Sequence, residues 1–242
     1  MGGQACVFYG AAEFSRDTDL AILASSENLA RLQKVLKDLK AEVAVPPFEM
    51  KYLRKGHAIH FRCNDVDARG MRVDVMTKMR GVSPFTELWT RRTTIEVDRS
   101  RIELMGLPDL VQAKKTQRDK DWPMIRRLVE VNYFANREAP TKDQIRFWFL
   151  ELRTPQLLIE LVRQNRLPSQ LLRQRPLLKA LKSEDESLLA KLLIEEEEQI
   201  RDADRRYWLP LKKELETCAM LAYHTADLLG IIDVSELASR DL

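Results

Sequence analysis

The amino-acid sequence predicts an α+β fold in two parts: a small mixed sheet with flanking helices over residues 1–105, then a helical region over residues 106–242. Three observations predict it. Short β-prone runs recur through the first hundred residues. From Pro108 onward the apolar residues fall at the 3.6-residue period of a helix, and the β-branched runs cease. Pro155, Pro168, Pro176 and Pro210 then punctuate the helical stretch.

Taken in order, small residues open a short apolar helix at Gly2-Gly3-Gln4-Ala5-Cys6, and Gly10 ends it. Asp17 to Leu23 reads as a strand. Ser25 or Ser26 caps the next helix, whose Leu29, Leu32, Leu36 and Leu39 recur at helical spacing. Val43 to Val45 forms a strand that Pro46-Pro47 ends. Ala58 to Cys63 and Met71 to Met76 form a hairpin around the polar loop Asn64 to Gly70, and Thr93 to Val97 pairs with Arg101 to Leu104. Pro108 opens a helix that continues through Arg118. Asp121 N-caps another, with Pro123 in its first turn. Amphipathic helices then cover Lys142 to Leu152, Thr154 to Gln164, Ser187 to Arg206 and Leu211 to Leu229.

Composition narrows the class. With 242 residues, 45% of them apolar and 32% charged, the chain has material for one large domain or two modest ones. No apolar run is long enough for a membrane span, and the N-terminus carries no signal-peptide pattern. Three scattered cysteines, Cys6, Cys63 and Cys218, do not form a disulfide framework, so a reducing cytoplasm is expected. A net charge of +3, from 40 basic and 37 acidic residues, leans only weakly toward polyanions.

The chemistry sits in three carboxylates. Residues i and i+2 of a strand share a face, so Asp17 and Asp19 project side by side while Leu20 and Ile22 face the other way. Two close carboxylates repel unless a cation lies between them. Hard oxygen ligands of this kind suit Mg2+, which also bridges triphosphate oxygens. In Arg72-Val73-Asp74-Val75-Met76, the two valines share one face and Asp74 takes the other. If the two strands are neighbours, Asp74 completes a cluster for two metals, one activating a hydroxyl and one steadying the pyrophosphate leaving group. Gly2-Gly3 at a helix mouth lets backbone N–H groups approach a phosphate.

Gly2-Gly3-Gln4-Ala5, Tyr9-Gly10, Ser15-x-Asp17-x-Asp19-Leu20 and Val73-Asp74-Val75 together resemble the signature of the DNA-polymerase-β-like nucleotidyltransferases. Within that superfamily the chain is most similar to the minimal bacterial enzymes related to abortive-infection and toxin–antitoxin nucleotidyltransferases. Lys114 to Asp121 resembles that branch's K…R-x-K-D segment, and the likeness covers roughly residues 2–130. It implies a cytoplasmic, ATP- or other nucleotide-binding transferase. Asp17, Asp19 and Asp74 would hold Mg2+, Gly2 and Gly3 the phosphates, and Ser15 and Lys114 the nucleotide. The family has an apolar strand before its Gly-Gly turn where this sequence shows only Met1, and many relatives carry arginine at the position of Glu13. The expected consequence is an open sheet edge beside the Asp17–Asp19 strand, with reduced stability or recruitment of a strand from another protomer. An extended chain would melt higher and bind nucleotide more tightly.

Other residues are weighed by spacing. Lys114, Arg118 and Asp121 fall on one stripe of a continuous helix, as a triphosphate contact oriented by Asp121 or as an exposed charged stripe with a cap; Lys115 is the fallback. His57, His60 and His224 lack zinc spacing and read as structural. Cys6 reads as core, Glu195 to Glu198 as a solvated helix face, and Trp89 and Phe147-Trp148-Phe149 as core plus surface. The expected partners are a nucleoside triphosphate and a hydroxyl acceptor, which could be RNA such as a tRNA end, a protein side chain or a small molecule. The alternative is a non-catalytic or toxin-like protein that acts through a cognate partner protein.

Overall fold

The structure, a computed structural model, describes residues 1–43, 46–98 and 100–228, with side chains through Cys218 and at Met220. It is mixed α+β, with a four-stranded mixed sheet, a two-stranded sheet and a helical C-terminal region. The N-terminal part runs α1 (Gly2–Phe8), β1 (Asp17–Ala21), α2 (Ser26–Asp38), β2 (Glu42–Val43), α3 (Met50–Lys55), β3 (Ile59–Arg62) and β4 (Arg72–Met76). Then come α4 (Phe85–Thr90) and the hairpin β5 (Thr93–Val97) and β6 (Ser100–Leu104). The helical part holds α5 (Leu107–Lys114), α6 (Asp121–Asn136), α7 (Lys142–Glu151), α8 (Pro155–Gln164), α9 (Leu171–Gln174), a 3-10 segment (Pro176–Ser183) and α10 (Glu186–Leu228).

The large sheet has the order β1-β4-β3-β2, with β1 parallel to β4 and the other pairs antiparallel. Its alternation sorts the faces. Ile59, Phe61, Val73 and Val75 turn inward with Leu29, Leu36 and Leu53 of α2 and α3 to form one small core. The opposite face carries Asp17, Asp19, Asp74 and His60 and is flanked by α1, which packs on β1 and on α5. Strand β1 forms an edge of the sheet, and the Met1 nitrogen donates to its Asp19 carbonyl oxygen at 2.8 Å. A second, larger core is continuous from Ala5 and Cys6 through Leu104 and Leu110 to Trp148, Leu158 and Leu193, so it crosses residue 105.

Several expectations need correction. The helix opened near Pro108 stops at Lys114, and residues 115–120 form a bent connection. Thr116 explains the break: its hydroxyl accepts from the Arg118 N–H, while its carbonyl accepts from the Trp122 indole, so both compete with helical bonding. Asp121 is the first residue of α6 and not a side-chain cap, because its carboxylate is drawn toward cationic neighbours. Helices α3 and α4 and the segment 171–183 arise where no element was expected. The helices expected on either side of Pro210 are one, α10. Proline removes one backbone donor, and α10 tolerates this because its flanks are clamped by packing to both halves of the molecule. Ala44, Val45 and Leu229, with the His224 side chain, lie outside the described residues. Of the charged run, Glu196 does not face solvent alone: it accepts from Arg153 and doubly from Arg175. No helix among the described residues is long and apolar enough to cross a membrane.

Candidate functional site

The register of β1 against β4 aligns Asp17 with Arg72 and Asp19 with Asp74, and β3 sets His60 opposite Asp74. Paired residues of adjacent strands point to the same side, so the three aspartates share one face. That face floors a cavity of about 430 Å³. Met1, Gly2, Gly3 and Ser15 line one wall, and Lys114, Arg118 and Asp121 line another. Every residue expected at the site therefore borders one cavity.

The corner at the glycine turn is tight. Gly2 holds φ at +67°, a left-handed value that costs an L-residue about 1–2 kcal/mol. A Cβ built there would lie 1.8 Å from Asp19 Oδ2, and one on Gly3 would lie 2.3 Å from Ser15 Oγ. The Gly3 N–H already donates to Asp19 Oδ2 at 3.3 Å. Asp19 and the glycine turn are thus in van der Waals contact with no room for a side chain. Gly2→Ala is expected to push the Asp19 carboxylate aside, leave a folded protein, and abolish any melting shift with Mg-nucleotide. A variant that keeps the wild-type shift would detach the glycine turn from the site.

The acidic groups are not idle. Arg72 donates to Asp17 Oδ2 at 2.9 Å, and His60 Nδ1 lies 2.8 Å from Asp74 Oδ1. The hydrogen bond to Asp74 raises the His60 imidazole above its ordinary value near 6.5. Among the described residues, no three His, Cys, Asp or Glu side chains stand together as a ready metal cage. The donor chemistry still suits Mg2+, since all three are carboxylates on one face. The groups holding Asp17 and Asp74 are half-exposed side chains that can swing away.

Lys114 and Arg118 meet by a different route from a helical stripe. Asp121, 2% exposed, accepts from Lys114 at 3.2 Å, from Thr116 at 2.6 Å and from Arg118 at 2.8 Å. Burial opposes its ionisation, but the charges of Lys114 and Arg118 with the Thr116 hydroxyl outweigh it and hold Asp121 below the usual aspartate value. Lys115 instead pairs with Glu151 at 2.8 Å.

Sequence reasoning missed a third wall, supplied by Asp204, Trp208 and Leu215 of α10, and it set aside His60. Asp204, also 2% exposed, accepts from Arg80 at 2.9 Å and from the Gln117 N–H at 2.8 Å, while Arg80 donates to the Lys115 carbonyl at 2.6 Å. The connection carrying Arg118 is therefore held in place by a helix that starts seventy residues later, a link that no local pattern encodes. Another cavity, about 490 Å³, lies beside Trp122 with Arg126, Arg153 and Arg201. Its arginines are already paired with Glu130, Glu196, Glu197 and Asp119, so it presents no free cationic cluster. No family model, curated protein or solved structure matches this chain in sequence or fold.

Proposed function

We propose that the protein is a Mg2+-dependent nucleotidyltransferase, moving a nucleoside monophosphate from a nucleoside triphosphate to a hydroxyl acceptor with release of pyrophosphate. One observation carries the reading: three aspartates on one sheet face share a cavity with a glycine turn and a Lys114–Arg118 pair. The resemblance of the glycine and aspartate motifs points the same way. Mg2+ bound at Asp17, Asp19 and Asp74 would supply Lewis-acid polarisation of the phosphate and of the attacking hydroxyl. The chain's own residues do the rest. The Gly2 N–H, and the Gly3 N–H once the Asp19 carboxylate turns to a cation, would receive phosphate oxygens, and the absence of a side chain permits the approach. Lys114 and Arg118, fixed by Asp121, face the charge that develops on the leaving pyrophosphate. Arg72 and His60 balance the acidic face when no cation is present.

Saturating Mg-nucleotide should raise the melting temperature. A ligand at a hundred times its Kd adds about 2.7 kcal/mol, which for a chain of this size corresponds to roughly 5–10 °C. Labelled triphosphates should in turn yield pyrophosphate when the acceptor is present.

A second reading is a non-catalytic or toxin-like protein acting through a partner protein. It draws on the carboxylates of Asp17 and Asp74 being engaged by Arg72 and His60. A melting curve unmoved by Mg2+ with ATP, GTP, CTP and UTP in turn favours that reading over the enzyme.

A further inference from the structure

The cavity floor changes character along the strands. Its first tier is Asp17 and Arg72, its second Asp19, Asp74 and His60, and its third Met76 with Ala58. Successive tiers are two residues apart, about 7 Å along the strand. Charge thus gives way to apolar surface within one step beyond the glycine turn, which touches the second tier at Asp19. That end is lined by Ala58, Met76 and Met79 and closed by Trp208 and Leu215, with the Arg80–Asp204 ion pair beside them. Trp208 and Leu215 are seven residues apart, two turns of α10, and so lie on the same face of the helix.

Trp208 differs from the buried tryptophans. The indole of Trp122 donates to the Thr116 carbonyl and that of Trp148 to Asn132 Oδ1, both within hydrogen-bonding range at 2.9 and 2.8 Å. Trp208 is only half-buried, and its indole N–H has no acceptor among the described residues. Tyr207 packs edge-on against it at 5.3 Å, which braces the ring from the helix side. An amphipathic aromatic with an unspent donor at the rim of a cavity is built to receive a flat ring.

We propose that this apolar end is a nucleobase subsite, in which Trp208 stacks on the heterocycle of the nucleotide whose phosphates lie at the glycine turn. The assignment rests on the nucleotide-binding reading above. It also gives the helical half a direct part in substrate recognition, since α10 alone supplies the stacking ring. A pocket with a charged end and an aromatic end orients a nucleotide in one sense only, and it leaves the Asp17–Arg72 tier as the side from which an acceptor hydroxyl approaches.

The test compares Mg-ATP, Mg-GTP, Mg-CTP and Mg-UTP with magnesium tripolyphosphate, which has the phosphates and no base, by calorimetric titration of the full chain. Wild type is expected to bind at least one nucleotide more tightly than tripolyphosphate. Trp208→Ala should weaken that nucleotide roughly ten- to hundred-fold, the range of one base–aromatic stack, and leave tripolyphosphate affinity unchanged. Trp208→Phe should restore most of the loss, whereas Trp208→Leu, which keeps apolar bulk without a ring face, should not. If Trp208→Ala binds nucleotide like wild type, or loses nucleotide and tripolyphosphate equally, the base subsite is wrong while the phosphate site stands. If wild type binds neither ligand, the nucleotide reading falls and the subsite with it.

Discussion

Glu196→Gln should lower stability by about 3–5 kcal/mol and the melting temperature by roughly 6–20 °C. Glu196 is the one anion between two nearly buried arginines. It accepts from Arg175 at 3.0 and 2.9 Å and from Arg153 at 3.1 Å, and Arg175 also donates to the Phe149 carbonyl. Removing the charge takes the hydrogen-bonded anion from two guanidinium groups that are only 7% and 3% exposed. Burial disfavours the Glu196 carboxylate, yet Arg175 and Arg153 more than offset this and hold it below the ordinary glutamate value near 4.5. A depressed carboxylate stabilises the fold above its unfolded-state value and loses that contribution as pH falls through its folded-state value. Wild type should therefore lose stability steeply below about pH 4.5. The Gln variant should show a shallower slope in denaturant titrations across that range. Replacing Glu196, Arg153 and Arg175 together with apolar residues should cost far less than the single change. If Glu196→Gln melts with wild type, the triad does not support the fold.

The second large effect concerns Asp19→Asn, expected to reduce nucleotidyl transfer at least about 100-fold. Changes to groups that merely orient a metal ligand already cost 10- to 100-fold, and Asp19 is placed as a ligand itself. Its carboxylate also accepts from the Gly3 N–H, so the amide disturbs both the cation and the phosphate turn. The residue lies on the open face of β1 and outside both cores, so the variant should fold and keep an unfolding free energy, from urea titration, within about 0.5 kcal/mol of wild type. Nucleotide-dependent stabilisation should vanish with the activity. Transfer undiminished in Asp19→Asn would remove the aspartates from the chemistry.

What was legible in the sequence was local. The period of two in Asp17-x-Asp19 and in Val73-Asp74-Val75 is enforced by the strand backbone itself, so it named the face before any neighbour was known. The glycine turn was legible because a side chain on Gly2 or Gly3 would collide with Asp19 or Ser15. The stripe through Lys114, Arg118 and Asp121 misled, because helical spacing assumed a continuous helix while Thr116 diverted the backbone bonds. The residues still meet, through Asp121. Pro210 read as a helix boundary because propensity counts the lost donor and not the packing that compensates it. Glu196 looked solvated because its partners are 21 and 43 residues away. Trp208 and Asp204 were invisible to any window for the same reason.

The long reach of α10 has a consequence for how the protein is made. Tyr52 meets Cys218, His57 meets Glu214 and Arg80 meets Asp204 across separations of 166, 157 and 124 residues. Closing such loops late makes assembly slow relative to a helical bundle of equal size. On a translating ribosome adding about 5–20 residues per second, the sheet and its aspartates emerge on the order of ten seconds before Asp204 does. In that interval the nascent chain holds an acidic sheet face that lacks one wall. The cavity over that face is then completed in a single late step, when α10 docks, rather than growing as the chain lengthens.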